Sequence, residues 1–246
     1  MSNGMTFNSV ASSTLHITRC VPLIPLLPER SSVTTEITGR DGILDFENDS
    51  YKSRIIPVDI LMDTAASESE LKSWLADVAV WLSGTGYLIF DDDTTKQWYG
   101  KVYRDVDQTR IPKTAQFIVN FECRPYAEAV TPSTDVSIAA EDDFESDVIF
   151  YPSIEVTLTA NAIYVQVSLT STGEYVRVDD ATLVTNDVIV FNMSTGKVTK
   201  NAANCMDKVN LSSRFFGVPT GNQTITVTAT STFTANMDYT KRYLYA

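Results

Sequence analysis

A strand-like run near the middle of the chain ends abruptly and divides the sequence into two dissimilar halves. Residues 117–123 read Phe-Ile-Val-Asn-Phe-Glu-Cys and are followed by Arg124-Pro125-Tyr126. Proline has no N–H for a sheet ladder, so the strand is expected to stop there. Short strands and one helical pattern precede this point, whereas alternation of period two dominates after a polar, acidic stretch. The sequence therefore predicts a mainly β protein with two domains.

Length supports this division. The chain has 246 residues, whereas single domains commonly run about 100–200 residues. We expect an N-terminal domain over residues 1–130, an acidic linker over 131–147 and a C-terminal domain over 148–246. The linker prediction rests on Pro132 and on the acidic run from Glu141 to Glu145, which lie in a stretch without sustained periodicity. The last strand, Tyr239 to Tyr245, fits either the second domain or a return to the first.

One amphipathic helix is predicted in the N-terminal half. Ser67 and Glu70 have the spacing of a capping box. Apolar residues then recur at helical spacing, at Leu71, Trp74, Leu75, Val78 and Leu82. The pattern predicts a helix over about residues 68–83 that packs its Trp74 face on a sheet, with Gly84 as a left-handed C-cap.

The remaining N-terminal patterns predict strands and turns. Prolines interrupt residues 15–27, as is tolerated at the edge of a sheet but not in a central strand. A strand is expected over Ile55–Leu61, and Tyr87–Phe90, an acidic turn and Trp98–Tyr103 read as a hairpin. The tetrapeptide Gly39-Arg40-Asp41-Gly42 has the composition of a turn.

The C-terminal half alternates apolar and polar residues, as half-buried antiparallel strands do. The clearest runs are Ile154–Leu158, Ile163–Leu169 and Ile225–Ala229, and further strands are expected over Tyr175–Val178 and Asp187–Phe191. Turn residues separate them. This half is therefore expected to form a jelly-roll-like β-sandwich, similar to galectins and carbohydrate-binding modules.

Charge and cysteine content narrow the function classes. Acidic residues outnumber basic ones 31 to 19, for a formal net charge of −12. The sequence has no stripe of basic residues, so tight nucleic-acid binding is not expected. The excess of acidic residues either keeps the protein soluble or forms a surface that repels a polyanion. The three cysteines form no Cys-x-x-Cys pair, which suggests a reducing compartment. No secretion signal or membrane span is predicted.

Catalytic and metal-binding patterns are weak. His16 is the sole histidine of the sequence, so a histidine zinc cluster is excluded and a Ser-His-Asp triad would have to use that residue. We interpret His16 as an exposed or satisfied strand residue and Cys123 as a buried thiol. The acidic runs lack the spacing of a calcium loop. The sequence therefore predicts no enzyme activity, cofactor or metal.

The ordered series of motifs resembles the siphophage distal tail protein family over almost the whole chain. The series begins with Asn3-Gly4 and the turn Gly39-Arg40-Asp41-Gly42, and continues through Trp81-Leu82-Ser83-Gly84 and Leu88-Ile89-Phe90. It ends with Phe117–Tyr126, Gly217–Asn222 and Lys241–Tyr245. Order and spacing carry the resemblance, and the N-terminal half matches best.

This resemblance implies a non-catalytic structural subunit of the phage tail tip, assembled in the bacterial cytoplasm. Six copies would form a ring whose N-terminal domains surround a channel through which DNA passes unbound. The implied partners are the major tail tube protein on one face and a tail-associated lysin, fibre or receptor-binding protein on the other. The C-terminal sandwiches would project outward and carry receptor-binding parts or contact cell-wall carbohydrate.

Two surfaces are predicted to serve this assembly. Proline-interrupted strands near Leu23–Leu27 and the hairpin leave edges that a neighbouring copy would cover. We predict that the subunit contact includes the hairpin residues Tyr87, Phe90, Trp98, Tyr99 and Tyr103. The turn residues Asp91, Asp92 and Asp93 are predicted to line the channel, where carboxylates repel DNA phosphates.

Two other classes stay open. A carbohydrate-binding adhesion module is the main alternative; Tyr164, Tyr175, Phe215, Phe216 and Tyr239 are available to it, although core packing accounts for most such aromatics. A hydrolase with a carboxylate pair is the weaker alternative, because the required separation cannot be read from sequence. Saturable binding to cell-wall polysaccharide would favour the module, and turnover of that polysaccharide would favour the hydrolase.

Overall fold

The protein forms two compact units. The computed structural model describes residues 4–36, 41, 43–104, 106, 108–111, 113–138 and 141–245. The first unit contains the chain up to Val130 and, again, Leu244 and Tyr245; the second spans Thr131–Tyr243. The final residues therefore group with the first unit, whereas the last long strand of the second unit ends at Tyr239.

The first unit is built on one antiparallel sheet. The strands of this unit are β1 (Met5–Phe7), β2 (Val10–Ala11), β3 (Ile17–Pro22), β4 (Arg30–Glu36), β5 (Ile43–Tyr51), β6 (Arg54–Met62), β7 (Thr85–Phe90), β8 (Asp93–Val102), β9 (Gln108–Ile111), β10 (Thr114–Cys123) and β11 (Ala127–Ala129). The main order is β2-β1-β7-β8-β10-β6-β3, with β9 beside β10 and β11 beside β8. Strands β4 and β5 form a separate hairpin.

Alternation explains the centre of this sheet. Every second residue of β6 is buried, and β10 pairs with it so that Val119 faces Val58 and Phe121 faces Ile56. These four side chains are fully buried. Strand β3, which carries Pro22, is the last strand of the order, so the prediction of an edge in this segment is confirmed.

The helix α1 spans Glu68–Leu82 and begins where the capping box predicts. The Ser67 hydroxyl accepts a hydrogen bond from the Glu70 amide at 3.2 Å, and the Glu70 carboxylate accepts one from the Ala66 amide at 2.7 Å. Trp81 donates its Nε1–H to the Phe7 carbonyl at 3.0 Å and so ties the helix to β1. The predicted left-handed cap is wrong: Gly84 does not have a positive φ, because the chain passes directly into β7 at Thr85.

A buried arginine fixes the returning end of the chain in the first unit. Arg54 is 2% exposed, and its Nη2 donates to the carbonyl of Leu244 at 2.9 Å. Its guanidinium lies 4.8 Å from the ring centroid of Trp98. Burial lowers the pKa of this guanidinium, since the charged form loses hydration. The contact joins residues that are 190 positions apart.

The second unit is a β-sandwich. Its strands are β12 (Ser133–Ile138), β13 (Glu141–Ser146), β14 (Ser153–Leu158), β15 (Ala162–Leu169), β16 (Tyr175–Leu183), β17 (Val188–Asn192), β18 (Lys197–Lys200), β19 (Ala203–Asn204), β20 (Gly221–Ala229) and β21 (Phe233–Tyr239). A short strand, β22 (Arg242–Tyr243), follows and is part of neither sandwich sheet. The two sheets have the orders β12-β21-β14-β17-β18-β19 and β13-β20-β15-β16. The predicted mainly β fold with one amphipathic helix is confirmed for the part of the chain described.

The segment predicted as a linker is instead part of the sandwich. Residues 131–147 include β12 and β13, which pair with β21 and β20. Ile138 and Phe144 are buried in the core of the second unit. Both strands lie at the ends of their sheets, where exposed backbone tolerates a polar sequence, and this explains why periodicity is weak there.

A buried ion cluster, formed by Asp180, Asp187 and Lys200, lies within the second unit. The Lys200 Nζ is 3.2 Å from Asp180 Oδ2 and 3.1 Å from Asp187 Oδ2. The Asp180 side chain is 6% exposed, that of Asp187 8% and that of Lys200 22%. Both carboxylates accept further hydrogen bonds, from Thr182 to Asp180 and from Val184 and Asn201 to Asp187. Satisfied charges of this kind are compatible with burial.

These contacts shift the ionisation of all three groups. The pKa of Asp180 is lowered, chiefly by the Thr182 hydroxyl. Burial would raise the pKa of Asp187, but the Val184 amide, Asn201 and Lys200 outweigh it and lower the pKa. Burial likewise opposes the charged form of Lys200, yet the two carboxylates raise its pKa. The folded second unit therefore favours the ionised cluster.

Candidate assembly surface

The predicted hairpin exists, but it does not form an edge. Strands β7 and β8 pair in antiparallel register, with Leu88 opposite Trp98. Strand β1 then pairs with β7, and β10 pairs with β8. Phe90 is 4% exposed and Trp98 1% exposed. The expectation of an open edge is wrong, because strands distant in sequence cover both sides, and neither Phe90 nor Trp98 offers surface to a neighbouring copy.

The three hairpin tyrosines are more accessible. Tyr87 is 40% exposed and meets Tyr99 edge-on, with ring centroids 5.1 Å apart. The Arg124 guanidinium lies 4.5 Å from the Tyr99 ring, and Tyr103 is partly buried below the Arg104 guanidinium at 4.8 Å. Aromatic rings beside arginine are common in protein interfaces. Tyr87, Tyr99 and Tyr103 therefore stay candidate contact residues.

The acidic turn connects β7 to β8. Asp91 and Asp92 are exposed, whereas Asp93 is partly buried and forms an ion pair with Lys96 at 3.0 Å. The pKa of Asp93 is lowered, chiefly by the hydrogen bond from the Thr95 hydroxyl. Asp93 therefore stabilises the turn itself, and Asp91 and Asp92 are the exposed acidic residues of the turn.

The turn of the family motif falls largely outside the described residues. Gly39, Arg40 and Gly42 lie outside them, and Asp41 is exposed. A role for this turn in assembly stays a prediction.

Sequence reasoning missed an apolar groove along α1. Leu75, Val78, Ala79 and Leu82 of the helix line it, together with Ser83, Val106 and Phe117. Its volume is about 290 Å³, and it is open to solvent. The lining follows the helical period, but whether a helix face is covered depends on distant strands. The groove therefore had no local signal.

Three leucines of the β3–β4 connection are also unusually exposed. Leu23 is 64%, Leu26 69% and Leu27 64% accessible. Sequence reasoning placed an edge here and did not predict that these side chains would face solvent. Exposed apolar side chains that are close in the sequence make this connection a candidate contact surface.

His16 packs on an aromatic ring, and the cysteine side chains are buried. His16 stacks on Trp74 with ring centroids 4.0 Å apart and planes 9° from parallel. Burial raises the pKa of the Cys20 thiol to about 11 and that of Cys123 to about 12. Among the described residues there is no group of three acidic, histidine or cysteine side chains able to hold a metal ion.

The aromatic residues proposed for sugar binding mostly pack within the second unit. Phe216 is 2% exposed, and Tyr239 contacts the Phe150 ring with centroids 4.9 Å apart. Phe215 packs against the same core. The guanidinium of Arg177 lies 4.0 Å from the Tyr164 ring. Core packing therefore accounts for most of these rings, and carbohydrate binding stays a prediction.

Comparison with known families decides among these classes. Residues 12–123 match a model described as the phage tail protein RIFT-related domain, and residues 145–243 match the C-terminal domain of the siphovirus-type tail component. The chain belongs to the siphophage distal tail protein family. Its place is accordingly the tail of the virion, and the proteins it matches are structural tail components rather than enzymes.

A solved member of this family shares the whole fold. The crystal structure of SPP1 Dit (gp 19.1), described as a paradigm of hub adsorption apparatus in phages that infect Gram-positive bacteria, matches with a TM-score of 0.80 at 16% identity. The match covers 98% of this chain and 99% of SPP1 Dit. No curated protein sequence matches the chain. In the described residues, no helix is long and apolar enough to span a membrane.

Proposed function

We propose that this tail component is a distal tail protein that acts as a hexameric hub. The ring joins the major tail tube protein to a tail-associated lysin, fibre or receptor-binding protein, and it leaves a central channel for DNA. The match of both units, over 98% of the chain, to a hub protein of a phage adsorption apparatus carries the proposal. Assembly takes place in the host cytoplasm before the virion leaves the cell.

The first unit has features that a ring requires. Strand β3 ends the order of the main sheet, and an edge strand exposes backbone groups that can pair with another chain. The leucines beyond β3 add apolar surface at the same edge. A contact between two different patches of one chain closes into a ring when it is repeated around an axis. These features support cyclic assembly through the first unit.

The excess of acidic residues supports a central channel through which DNA passes. The chain carries a net charge of −12, which a six-fold ring multiplies. Carboxylates on the channel wall repel phosphates, so DNA passes without a bound intermediate. The exposed Asp91 and Asp92 are the proposed contributors to this wall.

The ring is tested by measuring the native mass of the purified protein. Light scattering at high concentration should give about 163 kDa, six times the 27.2 kDa of one chain. Negative-stain images of the same sample should show rings with a central opening. Mixing with the tail tube protein should give a larger complex. A monomer at every concentration, with and without that protein, would exclude the hub.

The channel is tested by charge reversal in the phage. Asp91→Lys combined with Asp92→Lys should slow DNA ejection, because cations on the channel wall bind phosphates. Asp93 is left unchanged so that its ion pair with Lys96 survives. The control reverses two exposed acids of the second unit, Asp147 and Glu155. Equal ejection rates for the two double variants would remove Asp91 and Asp92 from the channel wall.

A further inference from the structure

Arg54 is a buried cation whose hydrogen bonds are incomplete. The residue is 2% exposed, and its Nη2 donates to the carbonyl of Leu244 at 2.9 Å. Its Nε and Nη1 atoms are buried and have no hydrogen-bond acceptor among the described residues. The Trp98 ring, 4.8 Å away, attracts the cation without replacing such an acceptor. Unpaired donors on a buried charge cost free energy, so contact with water would stabilise this guanidinium.

Leu244 and Tyr245, here called the latch, contact the first unit weakly. Leu244 is half-buried, and Tyr245 is 53% exposed. Within the described residues, a single hydrogen bond, from Arg54 to Leu244, joins the latch to earlier parts of the first unit. Segments with few buried contacts open locally at a low cost in free energy. The latch is therefore held by little more than the contact that buries an incompletely bonded cation.

The strands that carry Arg54 do not depend on the latch. Arg54 is the first residue of β6 and faces Cys123 of β10, which in turn faces Gly100 of β8. The pairing of β6 with β10 continues from Arg54 to Leu61. Trp98 belongs to β8 and is 1% exposed. Departure of the latch therefore leaves Arg54 and Trp98 fixed in three paired strands.

We infer that the latch is a reversible cover of Arg54 that opens without unfolding of the first unit. In the closed state the Leu244 carbonyl binds Nη2, and the other donors are shielded from solvent. In the open state all N–H donors of the guanidinium are available to water or to an acceptor on another chain. Arginine and tryptophan are enriched among the residues that dominate protein interfaces. The latch therefore withholds an arginine contact from other chains until it is displaced.

Chemical modification of arginine tests the opening in the intact protein. Phenylglyoxal reacts with guanidinium groups that solvent reaches, and mass spectrometry identifies each modified arginine. Arg54 should react more slowly than the exposed Arg214 of the second unit. Below the unfolding transition, urea should change the Arg54 rate little, because the opening of two residues exposes little surface. Tryptophan emission reports unfolding of the first unit in the same samples, since Trp74, Trp81 and Trp98 all lie there.

Two results of this experiment would overturn the inference. If Arg54 reacts only as urea unfolds the first unit, the latch does not open on its own. If Arg54 reacts as fast as Arg214 without urea, the latch does not close in solution.

A weakened latch should speed the reaction of Arg54. Leu244→Ser should increase the rate about five-fold, because the closed state loses a half-buried apolar side chain. Leu211→Ser is the matched control and should leave the rate unchanged, because Leu211 is fully exposed in the second unit. Neither variant should change the urea midpoint of tryptophan emission. Equal Arg54 rates in the two serine variants would show that Leu244 does not control access to Arg54.

Arg54→Met measures the cost of burying the guanidinium. Methionine fills much of the same volume, removes the buried charge and leaves no unpaired donor. The urea midpoint of the first unit should therefore equal that of the wild type or rise. A lower midpoint would show that the contacts of Arg54 outweigh the cost of its burial, and would contradict an opening favoured by hydration of the guanidinium.

Discussion

Lys200 neutralises two buried carboxylates, and its replacement by methionine gives a sharp test of the ion cluster in the second unit. Methionine keeps most of the side-chain length and removes the charge. Asp180 and Asp187 then lose an ammonium at 3.2 and 3.1 Å. Breaking a buried pair costs about 3–5 kcal/mol. Since each carboxylate keeps its other hydrogen bonds, we expect a loss near the lower limit, about 3 kcal/mol.

The loss should depend on pH in a defined direction. In the wild type the pKa values of Asp180 and Asp187 lie below the ordinary aspartate value of 3.8. Their contribution is therefore complete above that value and disappears as the pH falls through the lowered pKa values. In Lys200→Met the loss of the ammonium raises both pKa values relative to the wild type, so protonation at low pH costs the variant less stability than it costs the wild type. The gap between wild type and variant should be widest at neutral pH and should narrow below pH 4.

Calorimetry and tryptophan fluorescence together make the measurement. A loss of 3 kcal/mol lowers the melting temperature of a domain of about 100 residues by about 12 °C. The three tryptophans, Trp74, Trp81 and Trp98, all lie in the first unit. The transition seen by tryptophan emission is therefore an internal reference that should not move. Lys197→Met, an exposed lysine on the same strand, is the matched control and should change stability by less than about 0.5 kcal/mol.

Two results would refute the reasoning. A gap of equal size at pH 3 and pH 7 would show that ionisation of the carboxylates does not contribute. Equal stability of the Lys200→Met and Lys197→Met variants would show that the cluster contributes no more than an exposed lysine.

Other substitutions test the first unit and the thiols. Ser67→Ala removes the acceptor of the Glu70 amide and should cost about 1 kcal/mol, seen as a lower urea midpoint by tryptophan emission, whereas the exposed Ser73→Ala should have no such effect. Gly100→Ala would place a methyl group 2.6 Å from Cys123 Sγ and should cost about 2 kcal/mol by the same assay. A midpoint equal to wild type would contradict either prediction. The native protein should resist thiol labelling at pH 8 because its three cysteines are buried, and three thiols per chain should react in urea; rapid labelling of the native protein would contradict this.

Patterns that extend over a few neighbouring residues correctly predicted the helix and several strands. The capping box at Ser67 placed the start of the helix correctly, because its hydrogen bonds join residues three and four apart. Alternation likewise identified strands such as β14 and β15, whose buried faces read directly from every second residue. These elements were predictable because their patterns lie within a few residues of one another.

The wrong predictions concern elements whose neighbours in the fold are distant in the sequence. The hairpin of β7 and β8 was predicted, but its central position depends on β1 and β10, which the hairpin sequence does not encode. Strands β12 and β13 were mistaken for a linker because polar edge strands lack clear alternation. The helix groove was missed for a related reason: the helix period reveals an apolar face but not which part of it the sheet leaves open.

The hydrogen bond from Arg54 to Leu244 has a consequence for biosynthesis. The second unit lies between two segments of the first, and the contact that closes the first unit spans 190 residues. Domains generally fold as units while the chain emerges from the ribosome, N-terminal part first. Here the hydrogen bond between Arg54 and Leu244 cannot form until the ribosome has delivered the whole second unit, which lies between the two residues in the sequence. The docking of Leu244 on Arg54 is therefore a late step in the folding of each newly made subunit.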